Sequence, residues 1–272
     1  EVICAIALAV MRGANCSNPR AVVSRQPSLV LAICTEQRSI DSNRARHPAM
    51  TIDLDPLRSF CQDNNLPWDG DRADNFTRYV ELLEKFNRAM NLIGPMSTED
   101  VVRELILDSI IPASCDFSWE GPLSLLDIGT GAGLPGIPLK ILFPELKLTL
   151  VEPRRKRVTF LNIVTKRLEL EDVSIHEDRI EDLEFEPHDL LISKAFQPPL
   201  QWIETASGLV KHPGGHVLCM TRRGELQALE DVAAGLSLEL ADVKAPEHAT
   251  RDGVDDRIVA AFRALAHTDL EA

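Results

Sequence analysis

The chain has 272 residues, 44% of them hydrophobic and 26% charged, which is globular composition and length enough to bury a full core. Its formal net charge of −13 argues against broad, non-specific nucleic-acid binding, so a nucleic-acid partner would have to be met by a local basic patch. No apolar run approaches the roughly 18–20 residues that span a bilayer, and the six cysteines, at 4, 16, 34, 61, 115 and 219, stand too far apart for CxxC redox or zinc motifs.

Residues 1–49 carry six Lys+Arg and three Asp+Glu, a net of +3, which leaves −16 on residues 50–272. The apolar start EVICAIALAV has no basic flank of the kind a secretory signal needs, and the residues from 11 to 49 are aperiodic. These residues read as a disordered extension or a misassigned start, with a targeting or regulatory arm as the alternative, and the working chain is expected to begin near Met50. From Asp53 to about Ser114 the pattern is helical. Tyr79, Leu82, Leu83 and Phe86 fall at i, i+3, i+4 and i+7, with Met90 and Leu92 continuing the stripe, which predicts one face of an amphipathic helix. Ser97 with Asp100 three residues on predicts a helix start before the run VVRELILDSI. Residues 50–120 are therefore expected to form a leading helical segment.

After Gly121 short apolar runs alternate with helical stretches. Strands are predicted at Leu123–Ile128, Leu146–Val151, Val173–His176, Asp189–Ile192, Gly215–Met220, Leu238–Val243 and Arg257–Phe262, with helices near 135–143, 154–168, 199–210 and 224–234. Such alternation predicts an α/β domain over 121–272, a parallel sheet with right-handed crossovers and helices on both faces. Ligands of such sheets sit beyond the carboxyl ends of the strands, at the switch point near the first strand.

The stretch LLDIGTGAGLPGIPL occupies that point, with glycines at 129, 131, 133 and 136 behind Asp127. A glycine-rich turn from strand to helix lets backbone approach a ligand closely. The second strand ends on Glu152, where a carboxylate can accept both hydroxyl protons of an unphosphorylated ribose. Asp178, Arg179 and Glu181 follow the third strand and could reach an adenine edge, and Lys194 ends the fourth. Each of these polar groups also has a plainer reading as a solvated strand-end charge. No CxxC pair accompanies the histidines to complete a zinc set and no Ser/His/Asp or Cys/His arrangement is evident, so no metal is expected.

Taken together, LLDIGTGAGLPGIPLKILFPELKLTLVEPRRKRVTFL, EDRIEDL and ISKAF, preceded by LLEKFNRAMNL and ILDSI, resemble the GidB family of ribosomal RNA small-subunit methyltransferases (RsmG), over about Leu54 to Leu265. The resemblance implies a Rossmann-like, seven-stranded methyltransferase sheet that uses S-adenosyl-L-methionine to methylate guanine N7 in 16S ribosomal RNA, in the cytoplasm. It carries cofactor contacts over to Gly129, Leu134, Ile180 and Glu181, and to Lys194, which stands where the family commonly has arginine. Leu105 replaces a usual histidine, Ile93 a usual threonine, and MTRRG a more usual Lys-Gly pair.

Guanine N7 owns a free lone pair, so no proton has to be removed before it attacks a methyl group, and alignment and electrostatics are expected to carry the reaction. Lys194, as a positioning group, and Arg222 or Arg223 are candidates to donate to guanine N7 and O6. The run Arg154-Arg155-Lys156-Arg157 opens a predicted helix, where cations oppose the macrodipole, and this favours a phosphate-facing role for Arg154, Arg155 and Lys156. Residues 131–136 also match GxGxxG, which keeps an NAD-dependent oxidoreductase in view, although Pro135 and the lack of a Tyr-x-x-x-Lys pair count against it. The departures at Leu105, Ile93 and Lys194 keep a second alternative open, a non-catalytic relative that binds cofactor and a ribosomal partner. A small-molecule methyltransferase stands between the two.

Overall fold

The computed structural model describes residues 52–245 and 256–266, so the expectation for residues 1–49 falls outside the described residues. Helix α1 (Asp55–Asp63) turns Leu57, Phe60 and Cys61 inward. Helix α2 (Gly70–Met90) starts at Asp69, whose carboxylate accepts the Arg72 N–H, and buries Phe76, Tyr79, Val80 and Leu83; of the stripe read from the sequence, Tyr79, Leu83 and Leu92 are buried, whereas Leu82, Phe86 and Met90 are half-buried against the core. Ser97 caps α3 by accepting the Asp100 N–H. This third helix runs as Thr98–Asp100, widens to a π-helical stretch over Val101–Leu107, and closes as Asp108–Ile110 before a 3-10 turn, Ile111–Ser114. Nothing in the sequence signalled the widening. It precedes Asp108, a buried acid in an otherwise apolar run.

The remaining elements are β1 (Ser124–Ile128), α4 (Gly136–Leu142), β2 (Lys147–Val151), α5 (Arg155–Arg167), β3 (Val173–His176), β4 (Leu190–Ser193), α6 (Pro199–Ser207), β5 (His216–Arg222), α7 (Leu226–Ala234), β6 (Leu238–Lys244) and β7 (Arg257–Ala264). They build one seven-stranded sheet in the order β3-β2-β1-β4-β5-β7-β6. Strands β1 to β5 are parallel, with Leu125 opposite both Leu148 and Leu190. The all-parallel expectation fails at β7, which pairs antiparallel with β5 and with β6. A parallel return needs a crossover of a dozen or more residues, usually helical, whereas the sequence from 245 to 256 carries Pro246 and Gly253 and no apolar period, and β7 lies beside β6 in the opposite direction.

Burial on both faces explains why the strands read as continuous apolar runs. Alternate residues serve different layers. Leu125, Leu190, Ile192, Leu218, Val259 and Ala261 face a core shared with α1 to α5, whereas Leu126, Ile128, Leu191, Val217, Cys219 and Phe262 face α6 and α7. Cys61, Cys115 and Cys219 are buried free thiols whose burial pushes each pKa up to about 12; the other three cysteines lie outside the described residues.

The leading helices reach the glycine stretch through one bond. Tyr79, fully buried on α2, donates its hydroxyl to the carbonyl of Ala132 at 2.8 Å, and burial raises its pKa well above the usual phenol value. In Tyr79→Phe the ring packing survives but a buried carbonyl loses its donor, which costs about 1–3 kcal/mol. The expected result is a Tm lower by several degrees in thermal unfolding. A wild-type Tm would show that this bond does not hold the loop.

Candidate active site at the strand ends

The loop from β1 to α4 is built around Asp127. Its side chain is completely buried, and one carboxylate oxygen accepts both the Thr130 hydroxyl at 2.6 Å and the Gly136 N–H at 2.8 Å, drawing the start of α4 back onto the strand end. The other oxygen, Oδ1, is buried without a hydrogen-bond partner among the described residues. Burial dominates the acid's equilibrium and raises its pKa to about 7 against the lowering effect of those two bonds, with Glu152 adding to the rise. Asp127 therefore braces the loop from beneath.

Glu152 is the second brace. It is 2% exposed; one oxygen accepts the Gly131 N–H at 3.0 Å and faces Arg157 Nη1 at 3.3 Å, and the other accepts the Arg154 N–H at 2.8 Å. The carboxylate thus sits against the loop and against the first turn of α5. This bears on the basic run read from the sequence. Arg154, Arg155 and Lys156 are exposed, but Arg157 turns inward to Glu152, so the charge that opposes the α5 dipole is in part compensated within the protein.

The four glycines make room chiefly for the protein itself. A Cβ at Gly129 would lie 2.6 Å from the Phe196 ring, one at Gly133 would lie 2.5 Å from Ile137, and one at Gly136 would lie 2.8 Å from both Asp127 and Leu150. Only at Gly131, with φ +62, is the position open to the Arg157 guanidinium at 3.5 Å. The sequence reading expected a ligand against these glycines; at Gly129, Gly133 and Gly136 the close neighbour is instead a side chain of the protein. Leu134 is buried beside this loop, and Ile180 is buried at the start of a 3-10 turn, Ile180–Asp182, in which Glu181 is exposed.

Lys194 lies one residue past β4. Its Nζ is buried and sits 2.6 Å from Asp108 Oδ2, an ion-pair contact without hydrogen-bond alignment, and it has no hydrogen-bond partner among the described residues. Asp108 also meets Arg257 Nη1 at 3.3 Å through its other oxygen. These groups wall a cleft of about 320 Å³ with Met220, Ile258 and Val259, over the ends of β4, β5 and β7. Arg222 lines this cleft and is exposed, 4.0 Å from Asp256; Arg223, also exposed, opens a 3-10 turn, Arg223–Glu225. Glu225 accepts the Thr221 hydroxyl at 2.6 Å. The structure thus brings Lys194 and Arg222 to one cleft, and Asp127, Glu152 and the glycines to the neighbouring loop. Asp108, Phe196 and Arg257 were given no site role from the sequence, and Tyr79 was read only as part of a helical stripe. Leu105 and Ile93 are half-buried and pack against the main core.

Because its folded pKa lies above the ordinary value of 3.8, Asp127 contributes stability in its protonated form; that contribution is complete below about pH 4 and is lost as pH rises through about 7. Asp127→Asn keeps an acceptor for Thr130 and Gly136 and removes the titration. The Tm of the variant relative to wild type is expected to rise between pH 5 and pH 7.5, read by parallel thermal melts. A difference that stays level, or falls, would mean that no buried charge is being forced on the loop.

Comparison with known proteins places this geometry in a family. Residues 72–252 match the family model GidB, described as rRNA small subunit methyltransferase G. The ribosomal RNA small subunit methyltransferase G of Staphylococcus aureus (strain Newman) is 35% identical over 193 residues, covering 70% of this chain and 79% of the relative. Among solved structures, TYW2 of M. jannaschii in complex with AdoMet is similar at a TM-score of 0.49 and 16% identity, over 63% of this chain and 79% of that one. The ribosomal protein L11 methylase of Lactobacillus delbrueckii subsp. bulgaricus is similar at 0.47 and 14%, over 59% and 79%. On the family match and the curated relative, the chain belongs to the GidB family of ribosomal RNA small-subunit methyltransferases.

Proposed function

We propose that this chain, by family an S-adenosyl-L-methionine-dependent methyltransferase, methylates N7 of a guanine in 16S ribosomal RNA, alone or within the small ribosomal subunit, and does so in the cytoplasm. The observation that carries the reading is the loop after β1, clamped from below by Asp127 and from the side by Glu152, at the carboxyl ends of a sheet in a chain matched to this family. The residues present suit the cofactor. Gly131 leaves bare backbone, Glu152 keeps about one of its four lone-pair sites beyond those taken by Gly131, Arg154 and Arg157, and Ile180 and Leu134 are apolar neighbours for an adenine. When bound, the cofactor supplies a methyl group on a positive sulfonium.

Within that reading Asp127 and the glycines, among them Gly129, Gly131 and Gly133, fix the methionine side of the seat. Glu152 holds the ribose, Ile180 and Glu181 border the adenine, and Lys194 faces both cofactor and base. The nucleophile needs no base, so this chain's residues orient the ring and exclude water. Arg154, Arg155 and Lys156 meet phosphates, and Arg222 and Arg223 extend the contact past β5. Among the described residues no helix is long and apolar enough to cross a membrane, and no cluster of His, Cys, Asp or Glu is suited to hold a metal ion.

The direct experiment incubates the purified chain with methyl-labelled cofactor and either 16S RNA or small subunits, then maps methylated guanines. Label at one N7 is expected, and label only on protein or small molecules would overturn the reading. Binding of S-adenosylhomocysteine without binding of NAD separates it from the oxidoreductase. For the patch, RNA affinity should fall with salt at a log–log slope near −0.7 per neutralised phosphate of a single strand. Arg154→Ala with Arg155→Ala should flatten that slope, and an unchanged slope removes both arginines from the interface.

A further inference from the structure

The cleft beside Lys194 carries an inference of its own. It is walled by groups of both signs over an apolar floor: Asp108, with a side chain 9% exposed, pairs with Lys194 on one oxygen and with Arg257 on the other, and Met220, Ile258 and Val259 lie beneath. Both cations contact one carboxylate, yet that carboxylate is not exhausted, since an ionised acid offers about four lone-pair sites. Lys194 Nζ, for its part, is buried and, beyond its ion-pair contact with Asp108, has no hydrogen-bond partner among the described residues, which native proteins rarely leave so without a ligand or water. A ligand that satisfies both groups must present donors to Asp108 and an acceptor to Lys194 along one edge, with a flat apolar face for the floor.

We propose that this cleft seats the target guanine and that Asp108 reads its N1–H and 2-amino donors, making Asp108 the residue that selects guanine over other bases. This rests on the methyltransferase reading given above and adds a named recognition residue to it. The order of groups around the purine supports it. Along guanine's perimeter the 2-amino group and N1–H come first, then O6, then N7. Across the strand tips the order is Asp108 with Arg257 at β7, then Lys194 at β4, then the glycine loop at β1, because β4 lies between β1 and β5. Placing the donor edge at Asp108 brings O6 to Lys194 and leaves N7 facing the loop where the methyl donor is held. Reading a base on its Watson–Crick edge requires that it be unpaired and turned out of its stack, which suits a single-stranded or splayed position in folded RNA. Glu225 is a weaker candidate for the same task. It is exposed, and one of its oxygens already accepts the Thr221 hydroxyl and the Arg222 N–H.

The test uses the full chain, labelled cofactor and 16S RNA in which the target guanosine is replaced by inosine, which keeps N1–H, O6 and N7 and lacks only the 2-amino group. Wild type is expected to methylate the inosine RNA with kcat/KM about 10- to 100-fold below that for guanosine, the discrimination a good bidentate contact provides. Asp108→Asn is expected to lose about as much on guanosine while its guanosine-to-inosine ratio falls toward one, with S-adenosylhomocysteine affinity within about twofold of wild type. A merely structural role for Asp108 would lower activity on both RNAs and leave the ratio intact, which overturns the proposal. Equal use of guanosine and inosine by wild type overturns it as well, and this arm does not depend on the variant folding. If wild type methylates no guanosine at all, the methyltransferase reading itself fails, a result distinct from either of these.

Discussion

The geometry of the strand-end site depends on a single buried carboxylate. Asp127 has no ion-pair partner within bonding distance among the described residues, and its two hydrogen bonds tie the Thr130 side chain and the first amide of α4 to the end of β1. Once that tie is made, the backbone between 130 and 136 has little freedom. Gly131 can then reach Glu152, and the carbonyl of Ala132 is turned to Tyr79. Two further elements, β2 and α2, thus fasten the same loop, and the Tyr79 bond is buried where an unmet partner would be costly. A loop held from three sides pays its ordering cost during folding, before any ligand arrives, which is what preorganisation at a binding site means in energetic form.

This arrangement explains what was legible in the sequence and what was not. The strands were legible because burial on both faces removes polar residues from them, and β3 was read with the bounds it has in the structure. Strand direction was read correctly from β1 to β5, including β4, which follows β3 through only a short 3-10 turn, Ile180–Asp182; the reversal of β7 lies beyond a connection with no period to read. The glycine stretch announced close approach to backbone, since that is the one property a missing Cβ encodes. It could not announce what approaches, and at three of the four positions the neighbour is a side chain of the protein, Phe196, Ile137 or Asp127 with Leu150. Asp108 escaped notice for a related reason. It stands in the apolar run LILDSI, and its partner Arg257 is 149 residues away. The π-helical widening just before it is equally silent, because Val101–Leu107 has the composition of an ordinary buried helix.

Charge shows the same division between local and distant causes. A cluster of four cations at the start of a helix looked unfavourable when only neighbouring residues were considered. In the fold Glu152, carried in by β2, accepts the Arg154 amide and draws Arg157 away from the surface, so the helix start is less unfavourable than its own sequence suggests. Arg154, Arg155 and Lys156 remain outward on a protein whose residues 50–272 carry net negative charge. A partner with dense negative charge would therefore be drawn to this rim and repelled elsewhere, which gives orientation on approach as well as attraction.

Lys194 stands where these two halves of the site meet, and its being lysine has consequences. The resemblance to the family leads one to expect arginine here, whose planar fork would hold Asp108 bidentately and fix both groups in one plane. An ammonium holds the same carboxylate as a point charge and keeps its remaining protons on a rotor. With Arg257 already on the other oxygen of Asp108, a bidentate fork would compete for the same lone pairs, whereas a lysine shares the carboxylate and still has protons to direct along β4. The pair of an ammonium at position 194 and a guanidinium at 257 is thus a consistent solution to one geometric problem: neutralising a buried acid in the wall of a cleft without sealing the cleft.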